Sequence, residues 1–154
     1  MMPNIIERLR GTPARLEEMV ASLDTAVLTR REGEDWSIQE NAGHLWDLEA
    51  LWNGRLDDFL NGERVLRAAD LTNRKTYEAN HNASSIRDIL TAFRRERTAF
   101  VARLDGLDEA EVMRTALHPR LQQPMTIVDH AFFVAEHDDH HLAQITRLRR
   151  QSDV

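Results

Sequence analysis

Three histidines within five residues make the segment Ala135–Ile145 the part of the chain best suited to chemistry. His137 and His141 are four residues apart, so on a helix their side chains project from one face, one turn above the other. Two imidazoles at that spacing can hold one divalent ion. Because the H-x-x-x-H pattern is short, it also fits two hydrogen-bonded core histidines or a pair at a hydrated groove.

A third histidine, His44, lies beside the apolar residues Leu45 and Leu48 of another amphipathic segment. In a helical bundle, a ligand from one helix can meet an i, i+4 pair from another helix across the core. Three histidine ligands leave coordination positions open for water or substrate. The spacing therefore predicts a metal site formed by His44, His137 and His141, provided that the two helices are neighbours.

The other four histidines have simpler interpretations. His140 projects about 100° away from its neighbour in the ligand pair and should face sideways. His130 lies about 10 Å from the pair along the helix axis, where a core hydrogen bond or a place in a pocket wall is expected. His81 and His118 fall in predicted loops, and we expect both to be exposed.

Several carboxylates flank the candidate ligands in sequence. A ligating histidine usually donates its second N–H to such a group, which fixes the ring. We expect most of these acids to be ordinary solvated side chains, and a capping role competes for Glu40. They are Glu40, Asp47, Glu136, Asp138 and Asp139.

Four segments carry apolar residues at helical spacing, and no strand pattern is visible. Asn4–Leu23 contains Gly11 and Pro13, which predict a kink or break. The other predicted helices run from Ser37 to Phe59, from Ser84 or Ser85 to Leu104, and from Thr126 to Arg149.

A polar connection, Glu63–Ala83, separates the second predicted helix from the third and is longer than a usual bundle turn. The pattern predicts one domain over residues 1–154. Its fold class is all-α, an antiparallel four-helix bundle with a long crossover connection.

Composition narrows the possible partners. The chain has 154 residues, no cysteine and a formal net charge of −6. An acidic chain is a poor nucleic-acid binder, because binding a duplex requires a basic face. Without cysteine, any metal must use nitrogen and oxygen ligands, and any thiol must come from another molecule. Since no apolar run approaches the roughly 20 residues of a membrane span and the first residues do not resemble a signal peptide, we expect a cytoplasmic protein without a membrane partner.

Two motifs resemble signatures of the DinB/YfiT-like superfamily. Asp35–Leu45 is similar to its W-S-x-x-E-x-x-x-H-L motif, and Asp129–Ile145 is similar to its last-helix motif. Leu71–Lys75, between them, resembles a segment found in one branch of the group. The resemblance implies a four-helix bundle, often dimeric, with a divalent metal, commonly zinc or nickel, on three histidines. Carried onto this chain, those ligands are His44, His137 and His141.

The resemblance implies an activity less firmly than a fold, because members of the group differ in their reactions. We expect a metal-dependent enzyme that activates a low-molecular-weight thiol for transfer to an electrophile, of the S-transferase or isomerase type. A metal-dependent hydrolase and a non-catalytic, stress-associated metal-binding module are the alternatives. Phe132, Phe133 and Trp46 lie beside the main core positions and predict a homodimer that buries them.

Overall fold

The computed structural model describes residues 1–152 as a mostly helical bundle with one short pair of strands. The long helices have apolar stripes and buried inner faces, as the periodicity predicts. Within the described residues, none of the helices combines the length and the apolar composition that crossing a bilayer requires. The helices are α1 (Met2–Val20), α2 (Thr25–Thr29), α3 (Ile38–Asp47), α4 (Glu49–Leu60), α5 (Arg74–Ala79), α6 (Ile86–Asp105), α7 (Glu109–Val112) and α8 (Ile127–Ser152), and the strands are β1 (Thr115–Leu117) and β2 (Pro124–Thr126).

Four helical rods form the bundle: α1, α3 continued by α4, α6, and α8. Helices α1 and α3 each pack against both α6 and α8, so α1 and α3 occupy opposite corners. Hydrogen bonds between rods show their directions. Asn41 pairs with His141, whereas Trp52, further along, pairs with His130, so α8 runs antiparallel to α3 and α4.

Helix α6 instead runs in the same direction as α3 and α4. Arg97 bonds to Glu49, and Arg103, later in α6, bonds to Asn53 and Asp57, later in α4. Such a parallel pair needs a long return connection. Residues 61–85 supply it, and α5 and a 3₁₀ turn at His81–Ala83 pack on α3. The predicted helical bundle with a long crossover is confirmed.

A polar layer divides the interior into two apolar clusters. On α6, Phe100 belongs to one cluster and Phe93 to the other, with the fully buried Arg97 between them. Arg97 forms ion pairs with Glu49 at 2.7 Å and with Asp138. Because a buried guanidinium needs charged partners, this layer fixes the axial register of α4, α6 and α8.

Helix α1 continues through Gly11 and Pro13, so of the predicted kink or break the break is wrong, and the kink stays a prediction. Proline has no N–H and cannot bond to the carbonyl four residues earlier, which is that of Leu9. The Nη1 of Arg97 donates to this carbonyl at 3.3 Å. A tertiary hydrogen bond therefore replaces the missing helical one.

The second predicted helix is divided at Leu48 into α3 and α4. Its start agrees with the sequence, since Ser37 and Glu40 form the expected capping box. The start of α8 agrees as well: the backbone N–H groups of Thr126 and Asp129 donate to each other's side chains.

The prediction of a chain without strands is wrong at one place, between α7 and α8. Strands β1 and β2 pair antiparallel, with Ala116 opposite Met125. Three residues per strand are too few to give a readable alternation of apolar and polar side chains. The start of the crossover lies against β1, where the Leu66 N–H donates to the Leu117 carbonyl at 3.0 Å. These contacts place the loop between the strands beside the bundle.

Candidate metal centre

His44 is held in one orientation by a chain of hydrogen bonds from α3 to the crossover. The hydroxyl of Thr76 donates to Asp47 at 2.8 Å, so its oxygen accepts from the Nδ1–H of His44 at 3.0 Å. All three side chains are buried. A proton on Nδ1 leaves the Nε2 of His44 with a free lone pair, as a ligating histidine requires.

His141 is fixed in the same way from another direction. The amide nitrogen of Asn41 donates to the Ser37 carbonyl at 2.9 Å, which turns the amide oxygen towards α8. That oxygen accepts from the Nδ1–H of His141 at 2.8 Å. The Nε2 of His141 therefore also carries a lone pair.

His137 completes a cluster in which three ring nitrogens face one another. Its Nε2 lies 3.3 Å from the Nε2 of His44. One potential ligand atom from each of His44, His137 and His141 lies within 4.8 Å of the others. The Nδ1 of His137 is buried, with no hydrogen-bond partner among the described residues.

Burial keeps all three imidazoles neutral. Burial is the largest cause and the charge of a neighbouring protonated histidine the second, and together they lower the pKa of His44, of His137 and of His141 to about 3. At neutral pH the rings are unprotonated bases, which is the state that binds a metal.

The residues present fit a divalent ion. Two facing imidazole lone pairs repel each other unless a proton or a cation lies between them. Two of the three rings have their second nitrogen bonded to an oxygen acceptor, the usual arrangement around histidine ligands. An all-nitrogen donor set suits zinc, nickel and similar ions, and three ligands leave the site open on one side.

Residues 8–145 of the sequence match the DinB superfamily. The chain belongs to this superfamily. No curated protein matches the chain.

Solved structures agree with this assignment at the level of the fold. YfiT from Bacillus subtilis, described as a probable metal-dependent hydrolase with an unusual four-helix bundle topology, superposes with a TM-score of 0.86 at 21% identity, covering 99% of this chain and 87% of that chain. A mycothiol-dependent maleylpyruvate isomerase superposes with a TM-score of 0.72 at 9% identity, covering 92% of this chain but 60% of that chain. An uncharacterised protein from Clostridium difficile 630 has a TM-score of 0.73 at 10% identity, covering 99% of this chain and 96% of that chain.

The three histidines of this DinB superfamily member line a pocket of about 480 Å³. Its walls combine aromatic and aliphatic side chains with polar and charged ones in similar numbers. The ring centre of Trp36 lies 4.6 Å from the ring centre of His44, and the ring centre of Trp52 lies 5.3 Å from that of His137. The open side of the histidine cluster therefore faces a cavity large enough for a small organic substrate.

The sideways position of His140 and the core position of His130 agree with the sequence. His140 is exposed and lines the rim of the same pocket, with its ring centre 5.0 Å from that of His141. His130 is buried, and its Nε2–H donates to the Trp52 carbonyl at 3.1 Å. Burial lowers the pKa of His130 to about 4.

The expected exposure of His81 and His118 was wrong, because both side chains are buried. The crossover folds back onto α3 and places the Nε2 of His81 2.8 Å from an oxygen of Asp47. The loop between β1 and β2 carries His118 into the pocket wall. Both positions depend on tertiary contacts of segments that have no periodic pattern.

The flanking acids have different roles. Asp47 reaches His44 through Thr76. Burial opposes the charge of Glu40, but hydrogen bonds from Arg31 and Ser37 lower its pKa. Asp138, expected to be solvated, is instead fully buried, and its carboxylate accepts hydrogen bonds from Arg97 and Thr12. Glu136 and Asp139 pair with Arg8 on the outside of the bundle.

Sequence reasoning missed two residues that orient the cluster. Asn41 and Thr76 are far in sequence from at least one of their partners, and neither has a spacing that indicates its role. Only one feature of the sequence could have indicated such a role: Asn41 lies one turn before His44, on the same face of α3.

Proposed function

We propose that this chain is a metal-dependent enzyme that activates a low-molecular-weight thiol for transfer to an electrophile. One observation carries the proposal: three neutral imidazoles converge on one point at the wall of a pocket, and two have their lone pairs oriented by fixed acceptors. A structural ion would need no such pocket. These three histidines would hold a divalent ion, for which zinc or nickel suits the nitrogen ligands, and the ion would lower the pKa of a thiol bound to it.

The chain's own residues supply binding and orientation. Thr76 and Asn41 hold two rings so that their Nε2 atoms face the centre. Trp36 and Trp52 flank the cluster and limit water on either side. Since the described residues include no cysteine, the thiol itself is the cosubstrate. Leucine and alanine side chains of the same pocket, with Phe133, suit an apolar part of the substrate.

Hydrolysis by activated water is the second candidate, and His140 favours it. This exposed imidazole stands at the rim beside His141, where it could accept a proton from water. The description of YfiT as a probable metal-dependent hydrolase is in line with this reaction. Of the carboxylates in residues 1–152, only Asp70 lines the pocket, and it already accepts hydrogen bonds from Thr72 and Arg74.

Activity assays separate the candidates. Protein loaded with zinc or nickel is incubated with a panel of small thiols and 1-chloro-2,4-dinitrobenzene, and separately with a chromogenic ester. Thiol transfer that stops with a chelator and returns with metal supports the proposal. The rate should rise with pH through an apparent pKa below the value of about 8.5 for a free thiol. Ester cleavage alone selects the hydrolase, and full metal occupancy without either turnover selects a non-catalytic metal-binding module.

A further inference from the structure

A positively charged cluster lies in the same pocket as the histidine centre and is not used by the proposed chemistry. Arg55, His118 and Arg120 all line this pocket. Arg55 and His118 are nearly fully buried, with 2% and 3% of their surface exposed. Arg120 is exposed at the rim. Side chains of this type, buried on a pocket wall, need a ligand or a partner to offset the loss of water.

Arg55 has no carboxylate partner within the described chain. Its Nε donates to the Arg67 carbonyl at 3.0 Å, and no ion pair within 4.0 Å is formed by its guanidinium among residues 1–152. The nearby carboxylate of Asp58 is already taken by the side chain and backbone of Arg67. Burial lowers the pKa of Arg55, Asp58 opposes this, and Arg120 lowers it further. Arg55 is thus a buried cation whose terminal nitrogens are free to bind an anion.

His118 supplies a neutral donor beside it. Its Nδ1 accepts from the backbone N–H groups of Arg120 at 3.2 Å and Leu121 at 3.1 Å. The proton of a neutral ring must then lie on Nε2, which is buried and has no acceptor among the described residues. Burial and the charges of Arg55 and Arg120 lower the pKa of His118, so the ring remains neutral. A buried N–H without an acceptor costs free energy, and an acceptor on a ligand bound beside His118 would remove this cost.

Trp52 connects this cluster to the histidine centre. Its ring lies 5.3 Å from the ring of His137 and 5.9 Å from the guanidinium carbon of Arg55. The ring of Phe133, one turn before His137 on α8, lies 5.6 Å from that of His118. A molecule lying along these two aromatic rings can therefore reach both ends of the pocket at once.

We propose that Arg55, His118 and Arg120 form a subsite for a carboxylate group of the substrate, whose reacting end lies at the three histidines. The inference rests on the proposed function in one respect, that this pocket is the substrate pocket. A carboxylate fits the donors, since its two oxygens can accept from the guanidinium fork and from the imidazole N–H together. Asp70, the pocket's own carboxylate, is held by Thr72 and Arg74.

Binding to the metal-free protein tests the subsite without relying on turnover. The probes are 3-phenylpropionate and its neutral counterpart 3-phenylpropanamide, titrated against chelator-treated protein and followed by NMR of the histidine side chains. The acid should bind at least about tenfold more tightly than the amide, as expected for a charged hydrogen bond. It should also shift the Nε2–H signal of His118, assigned with the His118→Gln variant.

Matched arginine variants locate the effect. Arg120→Gln and Arg55→Gln should each reduce the preference for the acid by about threefold or more, whereas Arg87→Gln, an exposed arginine outside the pocket, should preserve it. Should Arg55→Gln fail to fold by circular dichroism, Arg120→Gln decides alone, because that side chain is exposed. Equal binding of acid and amide, an unmoved His118 signal, or no binding of the acid below about 10 mM overturns the subsite.

Metal binding, measured on separate portions of the same preparations after reloading with zinc or nickel, separates the two proposals. Metal binding without a preference for the acid overturns the subsite and leaves the proposed function in place. A preference for the acid in a protein that binds no metal removes the proposed function and leaves the carboxylate subsite.

Discussion

A single hydroxyl determines the tautomer of His44. Thr76 accepts from the Nδ1–H of His44 and donates to Asp47, and all three groups are buried. In Thr76→Val the imidazole loses this acceptor, so its Nε2 lone pair is no longer fixed towards the cluster. We expect metal affinity to fall by about 10–100-fold with an unchanged number of ions per chain, measured by competition with a chromogenic chelator.

Thr72→Val is the matched control for this change. Thr72 lies in the same crossover, but it is exposed and bonds to Asp70 rather than to a histidine. Its variant should bind metal as the parent does. An equal loss of affinity in both variants would show that the crossover, and not the hydroxyl on His44, is responsible.

For single residues, the sequence predicted side chains that share a face of one helix. It missed side chains that contact each other although they are far apart in the sequence. His137 and His141 share a face because of their spacing, and His44 lies on an apolar stripe. The partner of His141, Asn41, is 100 residues away, and no local pattern relates the two. Burial of His118 likewise depends on how a loop between two short strands lies against the bundle.

Close packing between the crossover and α3 depends on Gly43. A Cβ at this position would lie 2.3 Å from the ring of His81, which is itself bonded to Asp47. Gly43→Ala should therefore push the ring away and lower the free energy of unfolding by about 1–3 kcal/mol, measured by urea denaturation. A stability equal to that of the parent would contradict the packing of the crossover on this helix.

Gly11→Ala is the control, since it makes the same substitution within α1. A Cβ there would meet only the Nε of Arg15, at 4.0 Å. Alanine is the better helix former, so this variant should gain about 0.5–1 kcal/mol. Opposite signs for the two substitutions distinguish a steric effect from general helix propensity.

The sequence predicted which long helices exist more reliably than it predicted where each helix continues or ends. The four long stripes and the capping boxes at Ser37 and Thr126 are local signals, and the structure contains them. Continuity through Pro13 was not predictable, because it depends on a hydrogen bond from Arg97 on another helix. The strands β1 and β2 were too short to be recognised.

Protonation should destabilise the metal-free molecule in mild acid. Burial lowers the pKa values of His44, His137 and His141 to about 3 and that of His130 to about 4, against about 6.5 when unfolded. The unfolded chain therefore binds more protons below pH 6.5, and stability falls as pH decreases from there. Each such histidine contributes up to about 1.4 kcal/mol per pH unit.

One buried carboxyl acts in the opposite direction. Burial raises the pKa of Glu49 to about 7, and the charge of Arg97 opposes this shift. Between the pKa that Glu49 has in the unfolded chain and pH 7, the folded state binds more protons at this group. Acidification in that range therefore favours the folded state through Glu49. The four buried histidines together change the free energy of unfolding more than Glu49 does. Urea denaturation between pH 7 and pH 5 should therefore show a net loss of stability. Repeating the series at high salt screens exposed charges. A stability independent of pH in this range would contradict the burial of neutral imidazoles.

We also propose that the molecule forms a homodimer. Phe132 is 47% exposed, with the Arg8 guanidinium 5.7 Å from its ring centre, whereas Phe133 and Trp46 are half-buried. An isologous contact through Phe132 would remove this apolar surface from water. Light scattering should report a dimer in the parent and a monomer in Phe132→Ser. A parent that is monomeric at every practical concentration would contradict the proposal.

Metal content of the purified protein tests the central claim most directly. The parent, the double variant His137→Ala with His141→Ala, and His140→Ala are each loaded with zinc or nickel, dialysed and measured by mass spectrometry for the metal. We predict one ion per chain in the parent and in His140→Ala, and none in the double variant, because its pair of helical ligands is gone. Equal metal content in the double variant and the parent would contradict a site at His44, His137 and His141.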